Sequence, residues 1–231
     1  MSSSISRFFI SVTILFFAGC ATIQKPLSGI VPGREAETLQ SSISISVKTA
    51  DRSTGGRGYL IFKQPDRFHL AVLSPFGLTL LEVFSDSERF TCLIPSKQTA
   101  YSGLLSELPD RGGLKSLAMM KWVVERPPQT GPSSDSMDIP MADGRRERIY
   151  FDRNGLMQRK VTDDGDEVVY KDYQNVNGVA FPASIELGNR RGDTVRIVFD
   201  EPEINQTVED VALTPNLQGV TVLPLTDFKG F

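Results

Sequence analysis

Apolar residues recur in this chain with a period of two, and that spacing restricts it to extended strands. In SISISVKTA, Ile43, Ile45 and Val47 alternate with serines, which places the three apolar side chains on one face of a strand and the serines on the other. GRGYLIFKQ, DRFHLAVLS, LTLLEVFS and ERFTCLIP follow at spacings of about ten residues, divided by turn formers such as Gln64-Pro65-Asp66 and Ser85-Asp86-Ser87. RRERIYFDR, LMQRKVTD, EVVYKDYQNV, VAFPASIEL and TVRIVFDEP continue the series, with turns at Asn154-Gly155, Asp164-Gly165, Asn177-Gly178 and Arg191-Gly192. Short strands so punctuated pair with their sequence neighbours, and the reading is an antiparallel meander of about eleven strands. Asn154-Gly155 predicts a tight hairpin, because both residues tolerate positive φ.

Two segments read as helix. REAETLQSS, ahead of the first strand, is rich in helix formers. LKSLAMMKWVV places Leu114, Leu117, Met120 or Lys121, and Val124 near one face, and Arg126-Pro127-Pro128 ends it because proline cannot continue the ladder. QTGPSSDSMDIPMADG then reads as a polar loop. The fold class is mainly β, in the α+β sense, with one helical insertion.

A sheet of this length cannot leave an apolar face and two edges in water, so it closes, curls or is covered, and the inserted helix is the natural cover. The inward side chains are then Leu60, Phe62, Phe68, Leu70, Val72, Leu81, Val83, Ile149 and Phe151. Two fillings are open at this level: a solid core of the protein's own side chains, or a hollow that admits a ligand.

The amino terminus carries an address. After Arg7 comes the apolar run FFISVTILFF, too short for a membrane span of roughly 20 residues but the right length for a signal peptide core. It ends in Phe17-Ala18-Gly19-Cys20, whose small pair before the cysteine is the pattern of a lipoprotein signal peptide; Phe17 stands where leucine is usual. Cleavage removes residues 1–19 and leaves Cys20 to carry a diacylglyceryl group and an N-acyl chain, several chains together holding firmly where one would not. Residues 20–33 form the lipidated tether and 34–231 a single domain.

Other chemistries find little support. The net charge of −3 falls to −4 once Arg7 leaves, so nothing suggests nucleic acid. With Cys20 acylated, Cys92 has no disulfide partner and reads as a buried thiol. His69, the single histidine, alternates with Phe68 and Leu70 in a strand, where an exposed or edge position is expected. Asp163, Asp164, Asp166 and Glu167 form a solvated hairpin tip and lack the calcium loop's twelfth-position glutamate. There is no phosphate loop, paired-cysteine metal site or nucleophile elbow. The expectation is a protein that is not an enzyme and needs no cofactor beyond the acyl groups on Cys20.

The run from Asp66 to Val83, DRFHLAVLSPFGLTLLEV, resembles the core motif of the LolB family of outer-membrane lipoprotein receptors: an aspartate-arginine-aromatic entry, an apolar strand, a Ser-Pro-x-Gly turn and a second apolar strand. The segment from Leu114 to Pro128, with Leu117, Met120 and Trp122, is similar to the family's lid, and Tyr173 to Ile185 resembles the late tyrosine, glycine and proline pattern of LolA- and LolB-like domains. The resemblance implies an unclosed antiparallel barrel with a helical lid, whose apolar cavity, lined by the nine inward residues, holds acyl chains of other lipoproteins.

It further implies cargo taken from a soluble LolA-like periplasmic carrier and inserted into outer-membrane lipid, with no bond made or broken. The anchor motif argues for receptor over carrier. Ala21, rather than aspartate, after Cys20 places the protein on the periplasmic face of a Gram-negative outer membrane. Pro75, Phe76, Gly77 and Leu78 become the membrane-transfer loop, with Leu78 and Leu80 extending its apolar character beyond the family pattern. The same four residues also fit an ordinary turn in which Phe76 folds back onto the barrel end. A lipid-anchored scaffold or sensor with this fold and a filled centre is the alternative function.

Overall fold

The computed structural model describes residues 27–49, 52–86, 88–108, 135–141 and 144–229. Cys20 and the expected lid residues Leu117, Met120 and Trp122 lie outside them. Among the described residues thirteen strands form one sheet: β1 (Thr38–Lys48), β2 (Ser53–Lys63), β3 (Arg67–Leu73), β4 (Thr79–Ser85), β5 (Arg89–Ile94), β6 (Thr99–Leu104), β7 (Ser136–Pro140), β8 (Arg146–Phe151), β9 (Met157–Thr162), β10 (Glu167–Val176), β11 (Val179–Gly188), β12 (Thr194–Ile204) and β13 (Thr221–Pro224). Their order is β13-β6-β5-β4-β3-β2-β1-β12-β11-β10-β9-β8-β7. Two meanders, β1–β6 and β7–β12, are thus zipped along the antiparallel β1–β12 seam, where Lys48 faces Thr194 and Leu39 faces Ile204. β13 and β7 remain as separate edges, so the sheet is unclosed.

The alternation that predicts the strands also makes the core. Ile43 and Ile45 are buried while Ser42, Ser44 and Ser46 face water. Across the strands the inward residues line up in rows: Leu60 beside Leu70, Leu70 beside Val83 and Val83 beside Cys92 on one side of the seam, and Ile45 beside Ile197, Ile197 beside Ile185 and Ile185 beside Tyr170 across it. Gly58 permits the tight approach of β2 to β3, since a Cβ there would collide with the Ala71 carbonyl oxygen.

Several expectations need correcting. Among the described residues the strand count is thirteen rather than about eleven, because β6, β7 and β13 lack clean alternation, and β7 lies within the segment read as a polar loop. β13 runs parallel to β6, an exception in an otherwise antiparallel sheet. REAETLQSS is not a helix: Thr38 onward belongs to β1, where Leu39 is paired with Phe62 and buried, and cross-strand burial outweighs helix propensity. The Asn154-Gly155 hairpin exists, but only Gly155 takes a positive φ, at 75°. His69 is buried beneath the segment that follows β12: its Nδ1 lies 2.9 Å from the Ala212 carbonyl oxygen, its Nε2 lies 3.0 Å from Glu82, and its ring stacks on Phe84.

The connections divide between two ends. At the Thr38 end lie the Gln64–Asp66, Asp86–Glu88, Asp152–Leu156 and Asn177–Gly178 turns. There the incoming chain is also held, Asn175 Nδ2 donating to the Ser28 carbonyl and Val31 N–H to that of Gly178. At the Lys48 end lie the turns Ser74–Leu78, Pro95–Gln98, Met141–Arg145, Thr162–Asp166 and Asn189–Asp193.

Candidate functional site

The β3–β4 turn is closed by its own hydrogen bonds. Ser74 N–H donates to the Leu78 carbonyl (2.8 Å), Gly77 N–H to the Ser74 carbonyl (2.9 Å), and Leu78 N–H to Ser74 Oγ (3.0 Å). Gly77 sits at φ 78°, a left-handed position a side chain resists, while Pro75 pre-sets its own φ. With the backbone satisfied locally, the tip stands clear of the body: Phe76 is 91 % exposed, Leu78 69 % and Leu80 50 %. Phe76 therefore projects instead of folding back. Each such side chain forgoes roughly 1.5–3 kcal/mol of burial, so three together form an apolar surface that a folded protein keeps in water only for contact with something else.

Behind the tip lies the concave face. Val72 and Leu81, paired across β3 and β4, are the inward residues nearest Phe76; Leu70 and Val83 come next, then Phe68. Of the nine expected lining residues, Leu60, Phe62, Phe68, Leu70, Leu81, Val83 and Ile149 are buried, and Val72 and Phe151 are half-buried. Leu60, Phe62, Phe68, Leu70, Leu81 and Val83 belong to one apolar cluster, with Val72 packed against it, and the register with Lys160 and Val168 puts Ile149 on the same side of the sheet. Leu60, Leu70, Val83 and Ile149 are at most 1 % exposed, which leaves no water-sized space in front of them, so at these positions the face is closed in this state. Cys92 belongs to the same face, and burial pushes its thiol up to about 12.

One part of the face was not foreseen. Lys160 is 1 % exposed between Ile149 and Val168, its Nζ 3.7 Å from the buried Glu147 carboxylate, with buried Thr162 alongside. The signal was present: a hairpin turned on Asn154-Gly155 pairs Ile149 with Lys160, so an inward isoleucine brings an inward lysine. An open depression of about 460 Å³ at the Thr38 end is lined by Arg34, Glu35, Glu37, Gln64 and Asn205, a polar set unsuited to acyl chains.

The family model described as outer membrane lipoprotein LolB matches residues 37–201. No curated protein sequence matches the chain. Among solved structures, a LolA superfamily protein from Nitrosomonas europaea aligns at 12 % identity with a TM-score of 0.52, covering 80 % of this chain and 92 % of that one. A DUF1329 family protein from Desulfovibrio piger aligns at 8 % identity and a TM-score of 0.55, covering 78 % and 90 %. A domain described as an outer membrane lipoprotein-sorting protein, from Vibrio parahaemolyticus, aligns at 10 % and 0.51, covering 76 % and 88 %. At such identities these three speak to the fold, the unclosed LolA-like sheet.

Proposed function

The chain belongs to the LolB family of outer membrane lipoproteins, a lipoprotein-localisation family, and from that premise we propose that it takes the acyl chains of other lipoproteins against its concave face and delivers them into outer-membrane lipid at the Phe76 tip. The observation that carries this reading is the exposure of Phe76 on a turn whose backbone needs nothing from the rest of the protein. An apolar face can replace the bilayer as solvent for a fatty chain, each buried CH2 being worth about 0.8 kcal/mol in either place. Cargo then exchanges between two comparable oily environments, and no covalent step is required.

In the closed state the acyl chains displace whatever covers the face, and segment 114–124 would move as the lid. Cys20, acylated, holds the protein at the periplasmic side of the outer membrane, and a LolA-like carrier delivers the cargo. No helix among the described residues is long and apolar enough to cross a membrane. A scaffold or sensor of the same fold would leave the projecting Phe76 without a purpose.

Native mass spectrometry of protein purified without detergent is expected to find co-purifying lipoprotein or phospholipid, and a loaded carrier is expected to pass cargo to liposomes only when this protein is present. Absence of both sinks the reading.

A further inference from the structure

The Phe76 tip is flanked by cations. On one side Arg57 pairs directly with Leu73 at the end of β3, and the β1–β2 hairpin beyond it carries Lys48 and Arg52. On the other side Lys97 sits in the Pro95–Lys97 turn, which touches β4. All four are exposed, and among the described residues none is ion-paired. The acid of the β1–β2 tip, Asp51, lies outside the described residues. Of the acids at this end, Asp164 is paired by Arg145 at 2.7 Å and Asp163 by Arg146 at 3.5 Å, Asp193 takes a hydrogen bond from Asn189 at 3.1 Å, and the turn that holds Asp163, Asp164 and Asp166 lies several strands from the tip. The Thr38 end instead carries Glu35, Glu37, Asp86 and Glu88. A chain of net charge −3 has therefore gathered free positive charge around the most exposed aromatic residue among those described.

We infer that Lys48, Arg52, Arg57 and Lys97 form a seat for anionic phospholipid headgroups, which fixes where Phe76 enters the leaflet. This rests on the reading of Phe76 as a lipid contact and specifies the surface it meets. Apolar insertion alone does not choose among lipids, whereas a basic residue held near an anionic leaflet gains roughly fivefold in partitioning. That gain is screened within a Debye length of about 8 Å at physiological salt. Cations at the same end of the strands as Phe76 are the ones a leaflet entered there can hold, and those at the far end are not.

The test uses the exported chain with Cys20→Ala, so that no acyl group of its own holds it to lipid, in flotation with phosphatidylcholine vesicles and with vesicles half phosphatidylglycerol. At 50 mM NaCl the anionic vesicles are expected to bind at least tenfold better, and 500 mM NaCl is expected to remove most of the advantage. The triple variant Arg52→Glu, Arg57→Glu, Lys97→Glu is expected to lose the preference while melting at an unchanged temperature. Arg153→Glu, a single charge reversal at the Thr38 end, is expected to keep it, whereas Arg57→Glu alone is expected to weaken it. Equal binding to the two vesicle types, or a triple variant that binds like the parent, overturns the inference. So does a triple variant that floats normally but no longer accepts cargo from the carrier, which would assign the cations to an acidic protein partner. Failure of cargo transfer with headgroup preference intact would instead count against the proposed function and leave this seat standing.

Discussion

The Ser74–Leu78 and Asp152–Leu156 turns are built alike and made of opposite materials. In each, the first residue's N–H donates to the fifth residue's carbonyl (2.8 and 2.7 Å), the fourth residue is a glycine donating back to the first (2.9 and 3.0 Å), and a side-chain oxygen of the first residue receives the fifth N–H (3.0 and 2.8 Å). Asn189–Asp193 repeats the pattern, with Gly192 in the glycine position. Where one turn shows Pro75-Phe76, the others show Arg153-Asn154 and Arg190-Arg191. The backbone device is indifferent to what its tip carries, so the phenylalanine at 76 answers a need outside the turn itself.

The hardest blow to this contrast is to make the apolar tip polar. Phe76→Glu is expected to cut delivery into liposomes ten- to a hundredfold, in line with losing about 1.5–3 kcal/mol of aromatic burial, with the melting temperature unmoved; unimpaired delivery would remove Phe76 from the mechanism. Transplanting the apolar tip sharpens the point. In the Phe76→Glu background, Arg191→Phe, at the same end, is expected to recover part of the vesicle binding and Asn154→Phe, at the other end, none. Equal recovery by both would mean that hydrophobicity matters and place does not.

A smaller effect should make the two turns indistinguishable. Gly77→Ala and Gly155→Ala each force a side chain into the left-handed region, φ 78° and 75°. Each is expected to cost about 1–2 kcal/mol in denaturant unfolding; a marked inequality would show that the turns are not equivalent.

The smallest effect concerns the outer face of β2 and β3 at the Thr38 end, away from the Phe76 tip, where Asp210 bonds Lys63 (3.0 Å) and Arg67 (2.8 Å). Those hydrogen bonds hold the Asp210 carboxyl below its usual range. A depressed native pKa contributes stability above the unfolded value, about 3.9, and loses it as pH falls through the native one. The slight stabilisation of the native chain over Asp210→Asn at neutral pH should therefore vanish in acid, and persistence of the difference at pH 2 would refute the assignment.

How much of this could be read beforehand varies by segment. Strands with strict alternation, such as β1 and β3, declare both their conformation and their buried face. β6 (TAYSGL) and β13 (TVLP) do not, because edge and near-edge strands take their shape from partners, β13 from a parallel neighbour 122 positions earlier in its register, as Thr221 with Thr99. Residues 34–42 misled because Arg34-Glu35-Ala36-Glu37 is intrinsically helical, while Leu39 is decided by contacts with Phe62 and Ile204. The tip was legible as a motif but not as an exposure, which depends on the rest of the barrel leaving Phe76 alone. Lys160 was hidden because lysine conventionally marks a wet face, and only the register with Ile149 reveals otherwise.

The chain enters the body at the Thr38 end, by way of Ser28 and Val31, whereas Phe76 lies at the opposite one. β1 alone, with 11 residues, spans about 36 Å. The seven residues from Ala21 to Leu27 reach at most about 25 Å. Under the proposed mooring through Cys20, that leash is too short for the molecule to stand upright on its aromatic toe in the same leaflet. To touch down there it would have to recline, so posture on the membrane would decide when the proposed delivery begins.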